Sequence, residues 1–239
     1  MSSFGYLPNA NAGSNVNLST GRGYLALPKS SEPAPTILMI HDDSGIDVFV
    51  KEEVDRWAER GFVALAVDLY QGSVAADLKE AARMRDRLDT EFAEKMLSAG
   101  LAYVQQNPRV DKTRIGVLAW GMGADRSLSW AKTQTGIRLW VLYDVQPDLD
   151  VKHLQKIKGR LLAIYADQDK ALPEKLVQSF EKQLREAQIN YEIKKFQAKS
   201  SKYWDYTKGT LYEAKPAQAA REFLQIYLEK YLTLSDHRK

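Results

Sequence analysis

The sequence predicts an α/β fold: a mostly parallel central sheet of about seven or eight strands with helices on both faces. Three observations carry that prediction. Short apolar, β-branched runs alternate with segments of helical periodicity along the chain. The apolar runs at 36–40 and 62–69 read as strands buried on both faces. The chain has 239 residues, 44% of them hydrophobic, enough for one sizeable core.

Taken in order, residues 1–15 are rich in Gly, Ser and Asn and read as a loose arm, with 16–239 as a single domain. Val16–Thr20 and Gly23–Leu27 read as a hairpin at a sheet edge. Pro33 and Pro35 mark a connection into the strand Thr36–Ile40. Val48–Arg60 places Val50, Val54, Trp57 and Ala58 at helical spacing and stops at Gly61, since glycine adopts the left-handed conformation that ends helices. Phe62–Leu69 is a second buried strand. Val74–Leu88 and Thr90–Gln106 read as helices split near Asp89. Arg114–Trp120 is a third strand, followed by a helix from about Gly121. Leu139–Tyr143, Leu161–Tyr165 and Tyr191–Phe196 are further strands, and Glu174–Ala187 and Pro216–Tyr231 are helices. On the last helix Phe223, Tyr227 and Tyr231 recur every four residues beside Leu224 and Leu228, as core contacts do.

Bulk chemistry excludes several classes. A net charge of +3 without a basic, aromatic-interleaved stripe does not describe a nucleic-acid binder. The absence of Cys removes disulfides and thiolate metal sites and fits a reducing, cytoplasmic setting. Residues 1–17 lack a basic start followed by an apolar stretch, so no signal peptide is read, and no apolar run approaches a membrane span. No cofactor is expected, and the chain is expected to be a monomer or homodimer.

In a parallel sheet, ligands bind beyond the carboxyl ends of the strands. Three loops there carry candidate chemistry: His41-Asp42-Asp43-Ser44-Gly45, Trp120-Gly121-Met122 and Asp167-Gln168-Asp169. Residues 115–125 read I-G-V-L-A-W-G-M-G-A-D, a strand entering small residues and then a helix. This is the pattern of a nucleophile elbow, where a Ser or Cys sits at the turn. Here the central residue is Gly121, with no side chain to attack a carbonyl.

These segments, in this order, resemble the dienelactone hydrolase family of α/β-hydrolases over roughly 23–232. His41–Gly45 is similar to the family's H-E-x-x-G loop, with Asp42 replacing Glu. Val67-Asp68-Leu69-Tyr70-Gln71-Gly72 is similar to P-D-L-Y-x-G without the Pro. Val110–Val117 matches the lead-in to the elbow, Ala119–Ala124 resembles G-[YF]-C-x-G-G, and Tyr165–Asp169 resembles the loop bearing the acid. The resemblance implies an α/β-hydrolase fold and a Cys (or Ser), Asp and His triad acting on esters or lactones. Carried over, the acid is Asp169 and the nucleophile position is Gly121. The His position is Ser201, within 196–203, a degraded Y-x-G-A-x-H-G-F. Acyl transfer needs a nucleophile, a base and an orienter, and a hydroxyl such as Ser201 is no base at neutral pH. The resemblance also implies a surviving oxyanion hole at the backbone N–H groups of Met122 and Asp43.

Each remaining candidate has a functional and a plain reading. His41 is a relocated base or a strand-end residue bonded to loop backbone. Asp42 and Asp43 suggest a metal, although adjacent residues rarely converge on one ion. Ser44 as a displaced nucleophile sits in a turn-like sequence. Asp169 keeps an inherited position, now free to bind Ser201 or a backbone amide. Arg83, Arg85 and Arg87 clamp an acidic ligand or form a solvated helix face. Trp120, Tyr203, Trp204 and Tyr206 wall the pocket or pack locally. His153, read as preceding a strand, and His237, in the tail, have no expected role. Three functions follow: a non-hydrolytic homologue holding a small molecule or a partner in the cleft above Gly121, a hydrolase with relocated groups at His41, Asp42 and Asp43, and a structural or assembly role. An open, polar cleft would disfavour the last.

Overall fold

The computed structural model describes residues 13–146 and 149–233. The chain order is β1 (Ser14–Asn17), β2 (Arg22–Ala26), β3 (Ala34–Ile40), α1 (Val48–Glu59), β4 (Val63–Val67), α2 (Leu78–Arg87), α3 (Thr90–Gln106), β5 (Val110–Trp120), α4 (Met122–Ala131), β6 (Ile137–Tyr143), α5 (Val151–Leu154), β7 (Arg160–Ala166), α6 (Glu174–Glu186), β8 (Tyr191–Phe196) and α7 (Ala214–Leu228). The strands form one sheet in the order β1-β2-β4-β3-β5-β6-β7-β8. Strands β3 to β8 run parallel, and β2 joins β4, and β1 joins β2, antiparallel.

Alternation along each strand divides the core in two. Leu38, Ile40, Val63 and Leu65 face α3 and α4, meeting Met96, Leu97 and Leu128. Ile37, Met39, Ala64 and Ala66 face α1 and α7, meeting Val54, Trp57, Leu224 and Leu228. Every residue of β3 and β4 is buried, as their uninterrupted apolar sequences require. Strand β5 lies between β3 and β6, so its turn into α4 opens at the middle of the sheet, beside the loops that follow β3 and β6.

Boundaries differ from the sequence reading where side chains, not periodicity, set them. Helix α2 begins at Leu78 rather than Val74, because the Asp77 side chain accepts from Glu80 N and caps it. Strand β5 begins at Val110, four residues early, across a bulge. Of the expected arm at 1–15, residues 1–12 lie outside the described residues, while Ser14 and Asn15 pair with Leu25 and Tyr24 in β1. His153 lies on α5, a single turn capped by Asp150 and too short to show a period, not ahead of a strand. His237 lies outside the described residues. After α7 the chain widens into a π turn over Glu229–Thr233. No helix among the described residues is long and apolar enough to cross a membrane.

Candidate active site

At the end of β5, Gly121 takes φ +50° and ψ −120°, a conformation that costs a residue with a side chain about 1–3 kcal/mol. Its N–H donates to the Tyr143 carbonyl (2.9 Å), and its own carbonyl accepts from Ala124 and Asp125 as α4 begins. The approach of α4 to β3 depends on Gly123. A Cβ there would lie 2.3 Å from the His41 carbonyl oxygen and 2.7 Å from that of Ile40. Gly121 is different: a Cβ there would find only Asp42 Cβ and Lys202 Nζ, both at 3.8 Å. The turn has room for a side chain and carries none.

What stands over the turn is Lys202. Its Nζ donates to Asp42 Oδ2 at 2.5 Å, and Asp42 Oδ1 accepts from Ser44 N at 2.8 Å. Burial pushes the Asp42 carboxyl up, but the Lys202 ammonium, Lys208 and the Ser44 N–H outweigh it and hold it below its ordinary value. Burial likewise lowers Lys202, and the charges of Asp42 and Asp43 more than reverse this. Lys202 therefore stays an ammonium at neutral pH and does not accept a proton. Asp169 Oδ2 accepts from the Ser201 backbone N–H (2.6 Å) and its Oδ1 from Ala171 N (2.7 Å), so its carboxylate orders loop backbone.

His41 is fully buried. Its Nε2 accepts from Leu69 N at 3.0 Å and therefore carries no proton, so Nδ1 donates to the Asp42 carbonyl at 2.7 Å. Both nitrogens tie loops together, and neither is offered to the cleft. Among the described residues, no three of His, Asp and Glu are grouped to hold a metal ion.

Above Gly121 lies a cleft of about 500 Å³, lined among others by Met122, Asp43, Arg85, Ser201 and Lys202. Arg85 pairs with Asp43 (3.2 Å) and Asp86 (3.1 Å) and is well exposed on α2. Asp125 and Asp144 also line the cleft. Burial pushes Asp125 up to about 7 and Asp144 up to about 8. Asp144 sits just after β6 with φ +54°, and its Oδ2 accepts from Trp204 Nε1 (3.3 Å).

Several expected pocket residues lie elsewhere. His41, Trp120 and Tyr203 do not line the cleft. Trp120 stacks with Phe49, Tyr143 and Trp204 at centroid distances of 5.9, 6.2 and 5.7 Å, and Tyr203 packs against Phe196. Aromatic area this large is better buried against other rings than left on a polar wall. Asp42 does not line the cleft either, and meets it through Lys202. Three residues that do matter, Lys202, Asp144 and Asp125, were not singled out from sequence. Asp144 had a signal, since it follows an apolar parallel strand at its carboxyl end.

An eight-stranded, mostly parallel sheet whose central strand turns sharply into a helix at the ligand end defines an α/β-hydrolase fold. The dienelactone hydrolase family profile matches residues 22–230, and the chain belongs to that family. A relative from Bradyrhizobium, described as a probable 2-oxo-3-(5-oxofuran-2-ylidene)propanoate lactonase, is 24% identical over 221 residues, 87% of this chain and 89% of its own. Among solved structures, a dienelactone hydrolase-like promiscuous phosphotriesterase from metagenomic libraries superposes with a TM-score of 0.81 at 16% identity, covering 92% of this chain and 98% of the other. Dienelactone hydrolase from Anabaena variabilis gives 0.71 at 18%, covering 92% and 98%.

Proposed function

We propose that this dienelactone hydrolase-like protein forms no acyl-enzyme and holds a small molecule, unhydrolysed, in the cleft above Gly121. The observation that carries this reading is the pairing of a side-chain-free turn with an ammonium bound to a carboxylate. Gly121 offers only hydrogen where a nucleophile would project, and the group beside it, Lys202, is committed to Asp42. Covalent acyl transfer needs a nucleophile and a base that takes its proton. The three positions the resemblance implies for nucleophile, base and acid hold Gly121, Ser201 and Asp169. The first has nothing to donate, the second is no base, and the third bonds backbone amides.

The geometry gives less support to a hydrolase with relocated groups, because both His41 nitrogens are engaged by backbone. A purely structural role is likewise less well supported, because the cleft is open and its lining polar while the bulky aromatics are packed in the core.

The test is direct. Pure protein incubated with a fluorophosphonate and with p-nitrophenyl acetate should show no added mass in the cleft. Its turnover should stay at or below the roughly 10³–10⁴-fold over water that backbone donors and binding alone supply. A covalent adduct on a cleft residue, or faster turnover that His41→Ala abolishes, overturns the reading.

A further inference from the structure

The polar cleft shares part of its wall with a second space. Leu172 and Gln146 also line an adjoining hollow of about 260 Å³, whose other walls include Tyr165, Leu176, Val177 and Phe180. The two spaces thus share part of one wall, the cleft more polar and the hollow more apolar. The two carboxyls pushed up by burial line the cleft beside this shared wall. Asp125 Oδ1 accepts from Gln146 N at 2.6 Å. Asp144 immediately precedes Val145, whose carbonyl accepts from Tyr165 OH at 3.0 Å.

The charged groups around this junction are unevenly satisfied. Lys202 is held by Asp42 at 2.5 Å and Arg85 by Asp43 at 3.2 Å. Arg126 donates to Thr90 Oγ1 (2.6 Å) and the Leu88 carbonyl (3.2 Å), with its Nε left without a hydrogen-bond partner. Among the described residues neither Asp125 nor Asp144 has a salt-bridge partner. Asp144 is only 5% exposed, and its Oδ1 accepts no hydrogen bond of ordinary geometry. A buried polar atom left in that state costs free energy that a bonded partner would return.

Building on the ligand-binding reading above, we propose that the cleft takes a hydrophobic amine: an ammonium head between Asp125 and Asp144, and a short alkyl or single-ring tail in the hollow lined by Leu172, Val177 and Phe180. A primary ammonium brings three donors and a charge that pairs with either carboxylate once it ionises. The Tyr165 and Phe180 rings favour an apolar tail beside them. An anionic head would instead have to draw Lys202 or Arg85 away from a carboxylate already in place, leaving that carboxylate unpaired.

The proposal fixes a pH dependence. The groups facing Asp144 are Lys202, Asp169, Tyr143, Tyr165 and Tyr203, and those facing Asp125 are Arg126, Arg85, Asp43 and Tyr165. Burial raises Asp125 to about 7 and Asp144 to about 8, so both hold their protons in mild acid, and a bound ammonium favours their ionised forms. Binding must release protons and tighten as pH rises toward 8, by up to about tenfold per unit for each proton released.

Calorimetry with n-hexylamine, hexanol and hexanoate tests this, run near pH 6 and near pH 8 in two buffers of different ionisation enthalpy. The expected result is saturable hexylamine binding, at least about tenfold tighter at the higher pH, with proton release and with hexanoate at least tenfold weaker. Asp144→Asn and Asp125→Asn should each weaken it about tenfold and flatten the pH dependence. Both variants keep an acceptor for their present partners, Trp204 and Gln146, and if one fails to fold the other carries the test. Preferential binding of hexanoate overturns this inference but leaves the ligand-binding reading standing. No saturable heat with hexylamine at either pH, or binding indifferent to both substitutions, also overturns it. Ester turnover or a covalent adduct would instead strike the earlier reading.

Discussion

The turn from β5 into α4 and the loop from β8 to α7 both face the cleft, and they are held in opposite ways. The turn is fixed by backbone. Gly123 lets α4 press on the carbonyls of Ile40 and His41, and the Gly121 N–H reaches across to Tyr143. The loop is fixed by side chains: Lys202 to Asp42, Trp204 to Asp144, Lys208 to Asp47. A backbone-built element keeps its shape when its side chains change, because the packing that shapes it lies beneath. A side-chain-built element takes its chemistry from whichever residues occupy it. This is how a chain retains a hydrolase elbow while an ammonium stands over it.

The comparison can be broken most decisively at Gly123. Gly123→Ala forces a methyl into two carbonyl oxygens that cannot yield without moving β3. We expect a loss of 3 kcal/mol or more, about 6–12 °C in melting temperature or outright failure to fold, read by circular dichroism. A melting temperature within a degree or two of wild type would show that backbone packing does not hold the turn.

Next in size is Lys202→Met, which leaves Asp42 buried without its partner, at a cost of about 3 kcal/mol. Asp42→Asn together with Lys202→Met should recover much of that loss. The Asp42 carboxyl is held below its ordinary value, so its stabilising contribution is present above about pH 4 and is lost as pH falls through the folded-state value. The deficit of Lys202→Met should therefore shrink in acid melts, and a deficit constant with pH would contradict the ion-pair account.

The smallest effect is expected at Gly121. Gly121→Ser adds a side chain into space bounded at 3.8 Å, so the cost is backbone strain alone, about 1–3 kcal/mol. The variant should fold and still show no acyl adduct, since no base stands beside it. A stabilised variant would mean the turn is not strained as its φ implies.

Much of the fold was legible because it is written in periodicity. The strand Tyr191–Phe196 and the helix Thr90–Gln106 fall where the sequence places them, and the apolar runs of β3 and β4 announced burial on both faces. The elements missed are those without a period: the single turn Val151–Leu154, and the 3-10 segment Tyr206–Leu211, which holds a left-handed Gly209. The site was legible in part. Motif order pointed to Gly121, which lines the cleft, and to Asp169, whose carboxylate is bonded to loop backbone. It gave no hint of Lys202, because its pairing with Asp42 spans 160 positions and only the tertiary fold brings the two together. The pocket reading of Trp120 and Tyr203 erred because an aromatic residue near a strand end looks the same in sequence whether it turns to the cleft or to the core.

The three attachments of the β8–α7 loop end on the segments after β3, at the start of α1 and after β6. Lifting that loop would break them together, at about 1–3 kcal/mol each. The loop is thus a clasp rather than a door.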